Sequence, residues 1–187
     1  MKNKSKSRII LIDKKFKKNT IKYVFQCLLA TLTFLAILLF LDILNEIAII
    51  TALGASAFIV FTMPKQYSSD PRRLIGGYLI GLVVGFIFYY ISTSNFSETI
   101  ISYQTTSLII FGSAAVGLSI FIMAITNTEH APAAGVALGL VINKWDYVTI
   151  IYIILAVIWM YGIKTLLRKY LMDLISPHET PPQEHQR

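Results

Sequence analysis

Glu129, His130 and Pro132 stand together in the stretch TNTEHAPAAGVALGL, Thr126 to Leu140, at the head of a run of small and apolar residues. A histidine supplies a hydrogen-bond donor, an acceptor and a charge that switches near neutral pH. Proline is tolerated at a helix start because its missing N–H would be unpaired there. The small side chains that follow leave the first-turn N–H groups of Ala133 and Ala134 uncovered, and a helix N-terminus attracts anions. Gly54 and Ser56 lie in a second small-residue stretch, TALGASAF, and Arg72 and Arg73 open a long apolar run. Together these residues point to a binding site for a small anion. The competing reading makes Glu129 and His130 interfacial residues that end a helix, and the two arginines charged anchors at a membrane surface.

Glu129, His130 and Asp146 also have the side chains of an acid–base set. No activated nucleophile, metal-ligand cluster or phosphate loop accompanies them, so an enzyme is not expected, nor is a cofactor or a bound metal. The single cysteine, Cys27, excludes an internal disulfide and sits within an apolar run as a small hydrophobe.

The elements that must hold these residues are apolar. Of 187 residues 55% are hydrophobic, and the mean hydropathy is +0.64. Six charge-poor segments cover about 21–41, 47–63, 72–93, 101–126, 131–143 and 147–167. A spanning helix needs roughly 20 apolar residues. Four segments meet that length, whereas 47–63 and 131–143 fall short and either cross inside the bundle or are re-entrant or broken. The fold class is therefore all-α, a polytopic membrane helix bundle. Asp70 with Pro71 predicts the start of the third segment, and Asp146 caps the sixth, with Trp145 and Tyr147 at the interface. Long, short, long occurs twice, over 21–93 and 101–167. That order predicts a 3+3 internal repeat, a sequence pattern found in transporters.

Charge sets the expected orientation. The net charge is +7, and residues 1–22 hold nine Lys or Arg against Asp13 alone. Beside an apolar run of spanning length, such a tail reads as a positive-inside signal rather than a nucleic-acid arm. Lys65, Arg72 and Arg73, then Lys164, Arg168 and Lys169, repeat the signal, while the 94–102 loop carries Glu98 and no base. Both termini are thus expected in the cytoplasm, with Lys144, Asp42 and Glu46 outside and the chain in a bacterial inner membrane. The domains expected are a basic tail over 1–22, a membrane domain over 23–167 and a polar C-terminal tail over 168–187. Ile9, Ile12 and Phe16 fall at helical spacing, so part of the basic tail is expected along the interface.

Small residues recur four apart: Gly77, Gly81 and Gly85; Ala131, Gly135 and Gly139; Ser113 and Gly117; Ala115 and Ser119. This spacing lets helix backbones approach closely in lipid. It predicts tight packing inside the bundle and a homodimer through the glycine-rich faces.

The stretches LGASAFIVFTMP, DPRRLIGGYLIGLVVG and TNTEHAPAAGVALGL, in that order, resemble the HPP family of small integral membrane proteins over about residues 25–167. Gly54-Ala55-Ser56-Ala57, Pro71-Arg72 and Ile75-Gly76-Gly77 match the first family pattern. The His-Pro-Pro motif is met by His130 and Pro132, with Ala131 at its middle position. The resemblance implies a membrane domain of four or slightly more helices and a transporter. Plant and cyanobacterial members are linked to nitrite transport, which makes nitrite the implied anion. The alternative, a non-transporting scaffold or assembly subunit, is suggested by the glycine rows and the basic tail.

Overall fold

The computed structural model describes residues 14–40, 47–94, 104–143 and 146–175. The basic tail before Lys14 with Ile9 and Ile12, the residues Asp42, Glu46, Glu98, Lys144 and Trp145, and the chain from 176 onward lie outside the described residues.

The described residues form six helices: α1 (Lys14–Phe40), α2 (Ile47–Thr62), α3 (Pro71–Ser92), α4 (Gln104–Thr126), α5 (Ala131–Ile142) and α6 (Tyr147–Leu166). Of these, α1, α3, α4 and α6 are long and apolar enough to cross a membrane. With 16 and 12 residues, α2 and α5 are about 24 and 18 Å long. The backbone of α1 breaks at Asn19, where φ is −129° and ψ is 26°, and Asn19 Nδ2 donates back to the Lys15 carbonyl. The turn carrying Phe16 is thereby set off from the rest of α1.

Both predicted helix starts are present. Asp70 is the N-cap of α3 with Pro71 in its first turn, although the Asp70 side chain makes no capping bond. Asp146 caps α6 fully, accepting from Thr149 N–H at 2.8 Å and Thr149 Oγ1 at 3.0 Å. These donors hold its carboxyl below the usual carboxylate range.

Contacts at the helix ends fix how the segments run. Gln26, halfway along α1, donates to the Phe61 carbonyl at the end of α2. Arg72 at the start of α3 reaches the Thr126 carbonyl at the end of α4, and Lys164 near the end of α6 reaches the Ser69 carbonyl. At the opposite end, Ser107 of α4 meets the Ser92 carbonyl of α3, and Gly139 of α5 lies against Ile49 of α2. Successive helices, the short ones included, therefore alternate in direction along the bundle. Every Lys and Arg among the described residues falls at one end, called the basic end below. Asp146 is the one charged residue described at the other.

The helix pairs that pack are α1–α2, α2–α5, α2–α6, α1–α6, α3–α4, α3–α5, α3–α6 and α4–α5. Exchanging α1, α2 and α3 with α4, α5 and α6 returns the same set. Because each half has three helices, partner helices run in opposite directions along the bundle. The helix lengths follow the long, short, long order twice, as the sequence pattern has it. The central pair is α2–α5, the two short helices.

Packing around α5 depends on missing side chains. A Cβ on Gly81 would land on the Ala133 carbonyl, and one on Gly85 would come 2.9 Å from Ala137 Cα. From the other side, a Cβ on Gly139 would meet Ile49 Cγ1 at 2.8 Å, and one on Gly135 would meet Ala52 Cβ at 3.5 Å. So α5 lies between α3 and α2 at near backbone contact, which is what four-residue glycine spacing permits. The Gly77–Gly85 row is thus filled within the chain. Ser113 and Gly117 face outward from α4, whereas Ala115 and Ser119 are buried.

After α6 the chain turns back under the basic end. Buried Gln26 exchanges two bonds with the Met172 backbone, Tyr23 donates to the Leu174 carbonyl, and Leu174 N–H donates to the Thr62 carbonyl. Leu171 and Leu174 are buried. Residues up to 175, read from sequence as part of a polar tail, close the bundle instead.

Candidate functional site

The chain enters the site through a sharp helix end. Thr128 N–H bonds the Met123 carbonyl at 2.9 Å, Asn127 N–H bonds the Ala124 carbonyl, and Asn127 takes φ 55°. This is the left-handed helix stop, for which asparagine substitutes for glycine. Thr128–His130 then runs extended before α5 begins, with His130 as N-cap at φ −139° and ψ 95°. Gly76 and Gly77 make room for this strand of backbone. A Cβ on Gly77 would fall 2.7 Å from His130 Cβ, and one on Gly76 would fall 2.9 Å from Thr128 Cγ2.

His130 turns inward. Its Nε2 is 2.8 Å from Ser56 Oγ on α2, and Ser56 Oγ is 2.7 Å from the Tyr78 hydroxyl on α3. Tyr78 in turn donates to the Ala52 carbonyl at 3.3 Å. His130, Ser56 and Tyr78 are 2%, 0% and 2% exposed, so this chain of polar groups lies inside the bundle where α2, α3 and α5 meet. His130 Nδ1 is buried without a hydrogen-bond partner; the Ser68 backbone approaches the ring outside full hydrogen-bond geometry. Buried polar side chains in a membrane are costly, and those present mark sites more often than packing.

Above this chain, on the basic end, sits Arg73. Its side chain is 10% exposed, bonds Asn127 Oδ1, and forms ion pairs with Glu129 at 3.4 Å and Asp70 at 3.7 Å. Its guanidinium lies 3.6 Å from the centre of the Tyr67 ring, within cation–π range. Arg73 thereby ties the loop before α3 to the loop before α5. Buried Lys164 holds the Ser69 carbonyl of the same loop from α6.

Of the residues singled out in the sequence, the structure brings together His130 and Ser56, with Glu129 on the Arg73 side. Pro132, Ala133 and Ala134 are buried directly behind His130. Three expectations need correction. Ala133 N–H is not uncovered, because it donates to the His130 carbonyl at 2.9 Å in a tight first turn. Gly54 does not line the site, because it faces Phe34 of α1 at 3.4 Å. Arg72 is exposed and bonds the Thr126 carbonyl, so Arg73 is the arginine at the site. Sequence reasoning missed Tyr78 as well. Its hydroxyl in the otherwise apolar run IGGYLIG was the available signal.

Six alternating helices around a buried polar chain, with every described base at one end, define a polytopic helical membrane protein. The chain matches the family model described as HPP, transmembrane region, over residues 15–173, and it belongs to that family. It is also similar to a transmembrane protein of Dictyostelium discoideum, 32% identical over 90 residues, which are 48% of this chain and 28% of that protein. The chain thus spans well under half the length of the curated relative it matches. No solved structure matches it.

Proposed function

We propose that this HPP-family protein transports a small monovalent anion, with nitrite the first candidate, and is not an enzyme. The observation that carries the reading is the buried His130–Ser56–Tyr78 chain at the junction of the two short helices. No described carboxylate is bonded to these groups, a setting that favours an anion over a cation. Arg73, bound to Asp70, Glu129 and Asn127, closes the basic end above them. The long, short, long order of both halves is the pattern of transporters built from repeats, whose two ends can close in turn. Reconstitution into liposomes with a panel of nitrite, nitrate, formate and chloride tests this. Influx of at least one anion above the protein-free rate is expected. Silence across the panel, with a partner that co-purifies, would replace transport by a scaffold role.

We infer from the positive-inside rule that the basic end, and with it both termini, faces the cytoplasm of a bacterial inner membrane. Lys65 lies exposed on that end. In a Cys27→Ser background, Lys65→Cys should resist an impermeant maleimide in intact cells and react once the membrane is opened. Labelling of intact cells would reverse the orientation.

A further inference from the structure

We propose that transport through this site is coupled, one proton to one anion, with His130 Nδ1 as the atom that takes up and releases the proton. The proposal rests on the reading of the chain as an anion transporter.

The hydrogen-bond network supplies the first argument. The Tyr78 hydroxyl has one proton, which can go to the Ala52 carbonyl at 3.3 Å or to Ser56 at 2.7 Å. With the Tyr78 proton on the Ala52 carbonyl, Ser56 donates to Tyr78 and His130 Nε2 donates to Ser56. In that order the neutral ring keeps its lone pair on Nδ1, the atom that is buried without a partner, and this is the proton-accepting form. A buried acceptor without a donor is unfavourable. A proton added there leaves every other bond in the chain unchanged.

The second argument concerns the charge that would follow. A protonated ring needs a counter-ion, and each charged group nearby is already engaged. On the loops at the basic end, Glu129 and Asp70 are paired with Arg73. On α6, Lys164 is bound to the Ser69 carbonyl. From α2 and α3 the ring meets the neutral Ser56 and Tyr78. No described carboxylate bonds His130, so an entering anion is the group that balances it. An imidazolium and a monovalent anion together carry no net charge, which removes most of the cost of taking either alone into the membrane interior. The balance is simple. A proton from water on one side bonds to Nδ1, the anion binds beside it, and both leave on the other side, restoring the neutral ring.

The test uses proteoliposomes loaded with a pH-sensitive dye and given an inward nitrite gradient, with the protein-free rate subtracted to remove passage of nitrous acid. Wild type should move one proton with each nitrite, at a rate insensitive to a valinomycin–potassium voltage clamp. His130→Gln keeps an amide donor for Ser56 but carries no proton. Its nitrite flux should lose the proton and become voltage-dependent. Calorimetry of nitrite binding to detergent-solubilised wild type, in buffers of different ionisation heat, gives a second measure that needs no variant; uptake of one proton per nitrite is expected. Nitrite carried or bound without a proton overturns the coupling and leaves anion transport standing. Coupling that persists in His130→Gln overturns the role of His130. Nitrite neither bound nor carried overturns the coupling and nitrite as the substrate together.

Discussion

Gly81→Leu is expected to abolish the folded bundle, because even its Cβ would occupy the position of the Ala133 carbonyl. Forcing side-chain atoms into a packed core costs roughly 1–3 kcal/mol where neighbours can shift. Here the neighbour is backbone. It cannot rotate away, and α5 cannot retreat, because Gly139 already holds it against Ile49 on the far side. The effect should therefore lie at or above the top of that range, seen as loss of a monodisperse peak and of a cooperative melt in detergent. Gly117→Leu is the matched control. Gly117 is exposed, and a Cβ there meets nothing within 4 Å, so the same change should leave the melt unaltered. Equal stability of the two variants would show that α3 and α5 do not approach as described.

The four long helices were legible because hydropathy over twenty residues leaves one physical solution in lipid. The twofold long, short, long order was legible for the same reason, since lengths are read directly. How each helix is rotated was not. Gly54 and Ser56 are two residues apart, about 200° around a helix, so one small-residue stretch cannot turn both toward the same site. Ser56 faces His130, and Gly54 faces Phe34 of α1. Arg72 and Arg73 differ by about 100°. Adjacent in sequence and equal in charge, they part at the helix surface, one toward solvent and the Thr126 carbonyl, the other inward to Glu129 and Asn127. In an all-apolar helix the hydrophobic pattern carries almost no phase information, because lipid and protein interior ask for the same residues. The glycine row did carry phase. Its four-residue spacing marked the face of α3 that meets α5.

Tyr78 was hidden for a related reason. An aromatic ring in a spanning segment is ordinary, and only the neighbour that binds its hydroxyl makes it part of a site. That neighbour, Ser56, is 22 residues away and comes from the other short-helix contact. By contrast His130 announced itself, since an imidazole between a helix stop and a proline has few structural uses. The tight first turn that takes up Ala133 N–H could not be read from composition. It also moves the emphasis of the site from backbone N–H groups to side chains.

His130→Ala is expected to reduce anion flux roughly 10- to 100-fold, because a buried polar group left unpaired costs about 1–3 kcal/mol and each 1.4 kcal/mol is about a factor of ten in rate. The substitution removes the ring nitrogen that is bonded to Ser56. Stability should fall less than in Gly81→Leu, because a ring is deleted rather than backbone displaced, and α5 keeps its contacts with α2 and α3. Flux must therefore be normalised to folded protein recovered from the liposomes. His130→Gln should recover part of the flux by restoring a bond to Ser56, and Tyr78→Phe should lose a smaller part, since it leaves the His130–Ser56 pair in place. That order of wild type, Tyr78→Phe, His130→Gln and His130→Ala is what a chain ending at His130 demands. Flux in His130→Ala equal to wild type, per folded molecule, would make the buried chain a fastening between α2, α3 and α5 and place the anion path elsewhere in the bundle.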